Sequence, residues 1–100
     1  MEQDFVYTEG FIMVSKTVEV INAQGMHMRP AGILAKAAAA YKECNITMNV
    51  NEKKVNAKAL MQIMSACIKC GNTVEIVCEG TDEQAALDEV AGLFESGFGE

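Results

Sequence analysis

From Met13 onward, apolar and polar positions fall into short blocks with two different periods. Val14, Val18 and Val20 lie on one side of an alternating stretch and Ser15, Thr17 and Glu19 on the other, which predicts a half-buried strand over residues 14–21. Residues 22–28, containing Gly25, read as a loop. The run from Pro30 through the alanines to Tyr41 then changes to a helical composition, predicting a helix over 28–41 with proline in its first turn, where an N–H is not needed. Gly32 costs that helix some propensity but lets another molecule come close. Ile46, Met48 and Val50 alternate with Asn45, Thr47 and Asn49 as a second strand; Asn51-Glu52 suits a turn, and residues 53–57 return as a third strand. Residues 59–66 read as a short helix carrying Leu60, Met61 and Met64, broken by Gly71-Asn72, and Val74, Ile76 and Cys78 alternate as a fourth strand. Thr81 and Gln84 have the spacing of a capping box, followed by Ala86, Leu87, Val90, Leu93 and Phe94 at helical spacing, so a last helix is predicted over 82–96 with a loose tail after it. Residues 1–12 show no clear periodicity.

The order β-α-β-β-α-β-α belongs to the α+β class. It predicts one mainly antiparallel four-stranded sheet with three helices on one face. At 100 residues, half of them hydrophobic, the chain suits one compact domain. A net charge of −6 argues against partners that need a basic patch, namely nucleic acid and anionic membrane surfaces. No apolar run reaches the roughly 18 residues of a membrane span, and no basic stretch followed by an apolar run opens the chain. A cytoplasmic protein is therefore expected. Its cysteines at 44, 67, 70 and 78 are then expected as reduced thiols, with Cys44 and Cys78 filling the core as small apolar residues.

Composition also marks where to look for chemistry. His27, Arg29 and Pro30 are the only histidine, arginine and proline of the chain, and they fall together at the predicted helix start. The N–H groups of a helix's first turn lack intrahelical acceptors and attract an anion. Arg29 adds a permanent charge and a planar donor fork suited to phosphate oxygens. A neutral imidazole nitrogen is a good nucleophile near pH 7. On the residues alone, two readings stay open: a histidine that accepts an anionic group, and an ordinary surface histidine in a loop. A metal site is not favoured, since one histidine has too few companion ligands nearby.

The segment Gly25-Met26-His27-Met28-Arg29-Pro30-Ala31 resembles the active-site motif of HPr, the histidine-containing phosphocarrier of the bacterial sugar phosphotransferase system. The resemblance spans residues 13–100. It includes Val55-Asn56-Ala57-Lys58 leading into Leu60 to Ser65, the break at Gly71, the Glu79 to Glu83 entry to the last helix, and the Gly-Phe-Gly-Glu ending. It implies an open-faced β-sandwich, with four antiparallel strands and three helices. It implies that His27 takes a phosphoryl group at Nδ1 from phosphorylated enzyme I and hands it to the IIA domains of sugar permeases, with Arg29 neutralising its charge. Such a protein is a carrier rather than an enzyme, expected to work as a monomer and without a cofactor. Met28, Pro30, Leu60, Met61 and Met64 are the candidates for the surface on which its partners dock; methionine adapts well to unlike partners.

Two positions depart from the family pattern. Ala59 stands where many relatives carry a regulatory serine, so that switch is not expected, and Ser65 does not occupy the matching position. Met28 stands where a small residue is usual between the histidine and the arginine. Residues 1–12 precede the resemblance and read as an extension, either a tag or a misassigned start. Codons for Glu9-Gly10 can spell a ribosome-binding sequence ahead of Met13, which makes Met13 the expected initiator; an intact Met1 end in the natural protein would refute this. Two other functions compete: a regulatory binding module of the same fold acting outside sugar uptake, and a thiol redox protein using Cys67-Ile68-Lys69-Cys70. Sugar-uptake reconstitution separates the first from a carrier, and serine at both cysteines tests the second.

Overall fold

The computed structural model describes residues 3–8 and 11–99, with side chains from Met13 to Gly99. The elements are β1 (Gln3–Thr8), β2 (Phe11–Glu19), α1 (Met28–Ala39), β3 (Cys44–Val50), β4 (Lys53–Asn56), α2 (Leu60–Ser65), β5 (Thr73–Gly80) and α3 (Glu83–Glu95), closed by a 3-10 turn at Gly97–Gly99. The strands lie in the order β1-β2-β5-β3-β4, every neighbouring pair antiparallel. The four strands and three helices expected from the sequence are all present, in the expected sequence.

The N-terminal segment adds a fifth strand. Gln3–Thr8 pairs with β2 from Gln3↔Lys16 to Thr8↔Phe11. Its composition is rich in strand formers but has no alternation. An edge strand needs only its backbone ladder, so periodicity could not reveal it. Its presence explains two further differences. β2 starts at Phe11 instead of residue 14, because its first two residues pair with β1 alone. Ser15, placed on the polar side by the sequence pattern, is buried, because β2 is flanked on both sides. The Glu9-Gly10 pair lies outside the described residues.

One face of the sheet carries the core. Val14 and Val18 from β2, Ile46 and Met48 from β3, and Val74, Ile76 and Cys78 from β5 are buried beneath Leu34 and Ala38 of α1, Ile63 of α2, and Leu87, Val90 and Phe94 of α3. Helix α3 lies over β2 and β5, and α1 packs against both other helices. Asn51 and Glu52 both adopt positive φ, at 53° and 62°, which makes the β3–β4 link a tight two-residue hairpin turn.

Cys44 and Cys78 are buried and unbridged on neighbouring strands, as the sequence suggested. Burial raises the Cys44 thiol and pushes Cys78 up to about 12, so both are poor nucleophiles.

Two local expectations are corrected. The tail is not loose. Phe98 is buried and meets Phe94 edge to face, with ring centroids 4.9 Å apart. The cap of α3 is not a Thr81–Gln84 box. Asp82 is the N-cap, in a left-handed conformation at φ 59°, and makes no side-chain cap bond. That extra bend puts Thr81 out of line with the first turn. Glu83 instead reaches back to accept the Gly80 N–H at 3.1 Å, while Gln84 donates to Asp88.

The C-terminal end of α1 is tied down on two sides. The Tyr41 hydroxyl donates to Glu89 Oε1 of α3 at 2.7 Å, and Lys58 Nζ donates to the Tyr41 carbonyl at 2.6 Å. The Glu89 hydrogen bond, with burial and nearby carboxylates behind it, raises Tyr41 from its ordinary 10.0 to about 12. Since the folded value lies above the unfolded one, the stability contribution is complete below pH 10 and disappears as pH rises through about 12. Tyr41→Phe is accordingly expected to cost about 1 kcal/mol or less near neutrality. Urea titrations of both proteins should show that difference closing between pH 10 and about 12.

Candidate functional site

His27, Met28, Arg29 and Pro30 stand at the N-terminus of α1, while Leu60, Met61 and Met64 lie on α2, which packs against α1. The approach to it is built from short local bonds. Asn22 is buried; its side-chain amide donates to the Gly25 carbonyl, and its own carbonyl accepts the Gly25 N–H at 3.0 Å, closing residues 22–25 into a compact turn. Gly25 follows at φ +64°, a conformation open to glycine. A Cβ at that position would lie 2.5 Å from the Ile68 carbonyl oxygen and 2.8 Å from Lys69 Cα, so only glycine allows the loop this close to residues 68–70.

Met26 then sends its side chain into the core, 5% exposed, while its N–H donates to the Ile68 carbonyl at 2.9 Å. His27 comes directly after this anchor. It is the N-cap of α1, in extended conformation at φ −79°, and its carbonyl accepts the Ala31 N–H at 3.0 Å. The imidazole makes no cap bond to the helix and is partly exposed. Arg29, in the first turn, is exposed. An anion held at the imidazole therefore sits where the α1 dipole is positive and where a guanidinium can reach.

The surrounding candidates divide by exposure. Met28 is 62% exposed and Met61 74%, on the adjacent helices α1 and α2. Leu60 and Met64 are half-buried and pack against the core, so they offer only part of their surface. Pro30 is buried, which places its ring under the site; it sets the direction of the helix's first turn instead of lining the open face. Concavities of about 450 Å³ and 350 Å³ lie elsewhere, both bordered by Thr47, Lys54 and Glu79 of the sheet, the larger one reaching Gln62 of α2.

The cysteine pair lies beyond the end of α2. α2 ends at Ser65, and Cys67, at φ 54°, ends it in the left-handed position that glycine usually fills. Cys67 and Cys70 are thus not one turn apart on a helix but lie along the loop that supports Gly25 and Met26, both exposed and unbridged. The helix stops six residues before Gly71, the break expected from the sequence, and the residues between form this supporting loop. Its only sequence signal was a stretch without periodicity.

The chain is similar to known proteins in both sequence and fold. The family model "PTS HPr component phosphorylation site" matches residues 14–96. The phosphocarrier protein HPr of Treponema pallidum is 41% identical over 88 residues, covering 88% of this chain and 99% of its own. The HPr-like protein Crh of Halalkalibacterium halodurans is 37% identical over 83 residues, covering 83% of this chain and 98% of its own. The crystal structure of HPr-C-His from Thermoanaerobacter tengcongensis superposes with a TM-score of 0.81 at 40% identity, covering 86% of this chain and 96% of its own.

Proposed function

The chain belongs to the HPr family of phosphotransferase-system phosphocarriers, and on that footing we propose that His27 accepts a phosphoryl group from phosphorylated enzyme I and passes it to the IIA domains of sugar permeases. The observation that carries this reading is the position of His27: the N-cap of α1, directly after the buried Met26 and two residues before Arg29. In the transfer, an imidazole nitrogen forms a bond to phosphorus as the bond from phosphorus to the donor breaks. The α1 dipole and Arg29 favour the phosphoryl charge in both directions, and the reverse attack by a IIA nucleophile restores the free imidazole. Met28 and Met61 are the exposed apolar side chains on which both partners dock, with the accessible parts of Leu60 and Met64 beside them. The protein works in the cytoplasm, where enzyme I and the IIA domains meet it.

Regulation through a serine is not part of this reading. Ala59 is the N-cap of α2, and its methyl group offers no oxygen to phosphorylate.

The second reading is a regulatory module of the same fold, in which His27 phosphorylation is a signal with no onward flow to sugars; the chain's likeness to a protein named HPr-like protein Crh keeps it in view. Incubation with phosphoenolpyruvate and enzyme I is expected to place acid-labile phosphate on the wild-type chain. Adding a IIA domain and its permease in vesicles should then drive sugar uptake. Labelling without uptake favours the regulatory reading, and absence of labelling rejects both.

A further inference from the structure

The loop after α2 is the wall on which the His27 loop rests. Val20 exchanges backbone bonds with it, donating to the Asn72 carbonyl at 2.9 Å and accepting the Gly71 N–H at 2.8 Å. Nearer the site, the Ile68 carbonyl accepts the Met26 N–H at 2.9 Å. That carbonyl belongs to the Ile68–Lys69 peptide group, which is planar, so its C=O and N–H directions are fixed relative to one another.

The N–H on the other side of the same plane donates to Asn72 Oδ1 at 2.7 Å. Asn72 returns a bond from its own N–H to the Lys69 carbonyl at 3.0 Å, closing the turn. Its Oδ1 also accepts from Asn51 Nδ2 at 3.3 Å, and the same Asn51 amide donates to the Ala66 carbonyl at 3.4 Å. The β3–β4 turn thereby braces the loop from outside. One carboxamide oxygen thus holds one edge of a peptide plane whose other edge holds Met26, and Met26 is the residue before His27.

We propose that Asn72 is a positioning residue for His27, acting through the Ile68–Lys69 peptide plane. Its Oδ1 sets the tilt of that plane, the plane sets where the Met26 N–H is held, and Met26 sets where the imidazole emerges at the end of α1. Without Oδ1, the Lys69 N–H turns to water and the Ile68 carbonyl swings with it. The close packing of Gly25 against Ile68 and Lys69 passes that motion on to the loop. The inference rests on His27 being the phosphoryl acceptor.

The test compares Asn72→Ala, which removes the acceptor, with Asn72→Asp, which keeps one. Each protein is assayed well below its own melting temperature. A displacement of the nucleophile by an ångström costs up to about 100-fold in rate, so partial release of the plane in Asn72→Ala is expected to lower turnover at saturating enzyme I by about tenfold, with KM for enzyme I within about twofold of wild type. Exchange of the Met26 amide should quicken by about tenfold, since its acceptor is no longer held. Asn72→Asp should resemble wild type in both measurements.

Wild-type turnover and Met26 protection in Asn72→Ala would overturn the proposal. So would a rise in KM alone, or an Asn72→Asp protein as impaired as the alanine variant. If the wild-type chain takes no phosphate, the phosphocarrier reading fails instead. Met26 exchange still decides whether Asn72 holds the loop, because it is measured without any transfer.

Discussion

His27→Ala is expected to take up no phosphate from phosphoenolpyruvate and enzyme I under conditions that label the wild-type chain fully. The loss should be complete, because the chain has no second histidine to substitute as acceptor. The variant should remain folded. His27 is the N-cap of α1 but makes no side-chain cap bond, so alanine forfeits none of the roughly 1 kcal/mol that a capping side chain contributes. The buried neighbours Met26 and Pro30 continue to fix the loop and the helix start. A melting temperature within a few degrees of wild type, together with absent labelling, separates lost chemistry from lost structure. Phosphate still bound in the variant would place the acceptor elsewhere and reject the assignment.

Gly25→Val should produce the second large effect, by geometry alone. The position has φ +64°, where a β-branched residue is strained, and the new Cβ would lie 2.5 Å from the Ile68 oxygen and 2.8 Å from Lys69 Cα. These are backbone atoms, held by the Met26 and Asn72 bonds, so they cannot move aside cheaply. The loop must lift away, breaking the Met26–Ile68 bond and carrying His27 with it. The expected cost is about 2–3 kcal/mol of stability, with transfer slowed by about 100-fold in the protein that remains folded. Gly92→Ala is the contrasting control. It lies within α3 with nothing inside 4 Å of the added Cβ, and should stabilise by about 0.5–1 kcal/mol without touching transfer. A Gly25→Val protein with wild-type transfer would show that close approach of the two loops does not place the histidine.

The two variants mark different depths at which the site was legible. His27, Arg29 and Pro30 stood out because each is unique in the chain and all three sit where an alanine-rich run begins. The strands at Cys44–Val50 and Thr73–Gly80 were equally plain, since each alternates between buried and more open positions. Where a residue's environment follows from its own period, reading the chain is enough. Pro30 shows the limit: its place in the first turn was predicted, but its burial, and so its absence from the open face, depends on what lies beneath it.

The sequence by itself therefore determined the order of the central strands and helices, and it singled out His27 and Arg29 at a helix start as the proposed nucleophile and cation, because periodicity, helix-start chemistry and residue type are local properties. Tertiary structure decided the rest. β1 became an edge strand because a neighbouring backbone was available to pair with, which no alternation records. Phe98 docked on Phe94 because the 3-10 turn brought it back over the core. The loop of residues 67–72, without periodicity of its own, became the support of the His27 loop through bonds to residues more than forty positions earlier. Such contacts depend on which surfaces meet after the sheet has closed, and a one-dimensional pattern carries no record of that meeting.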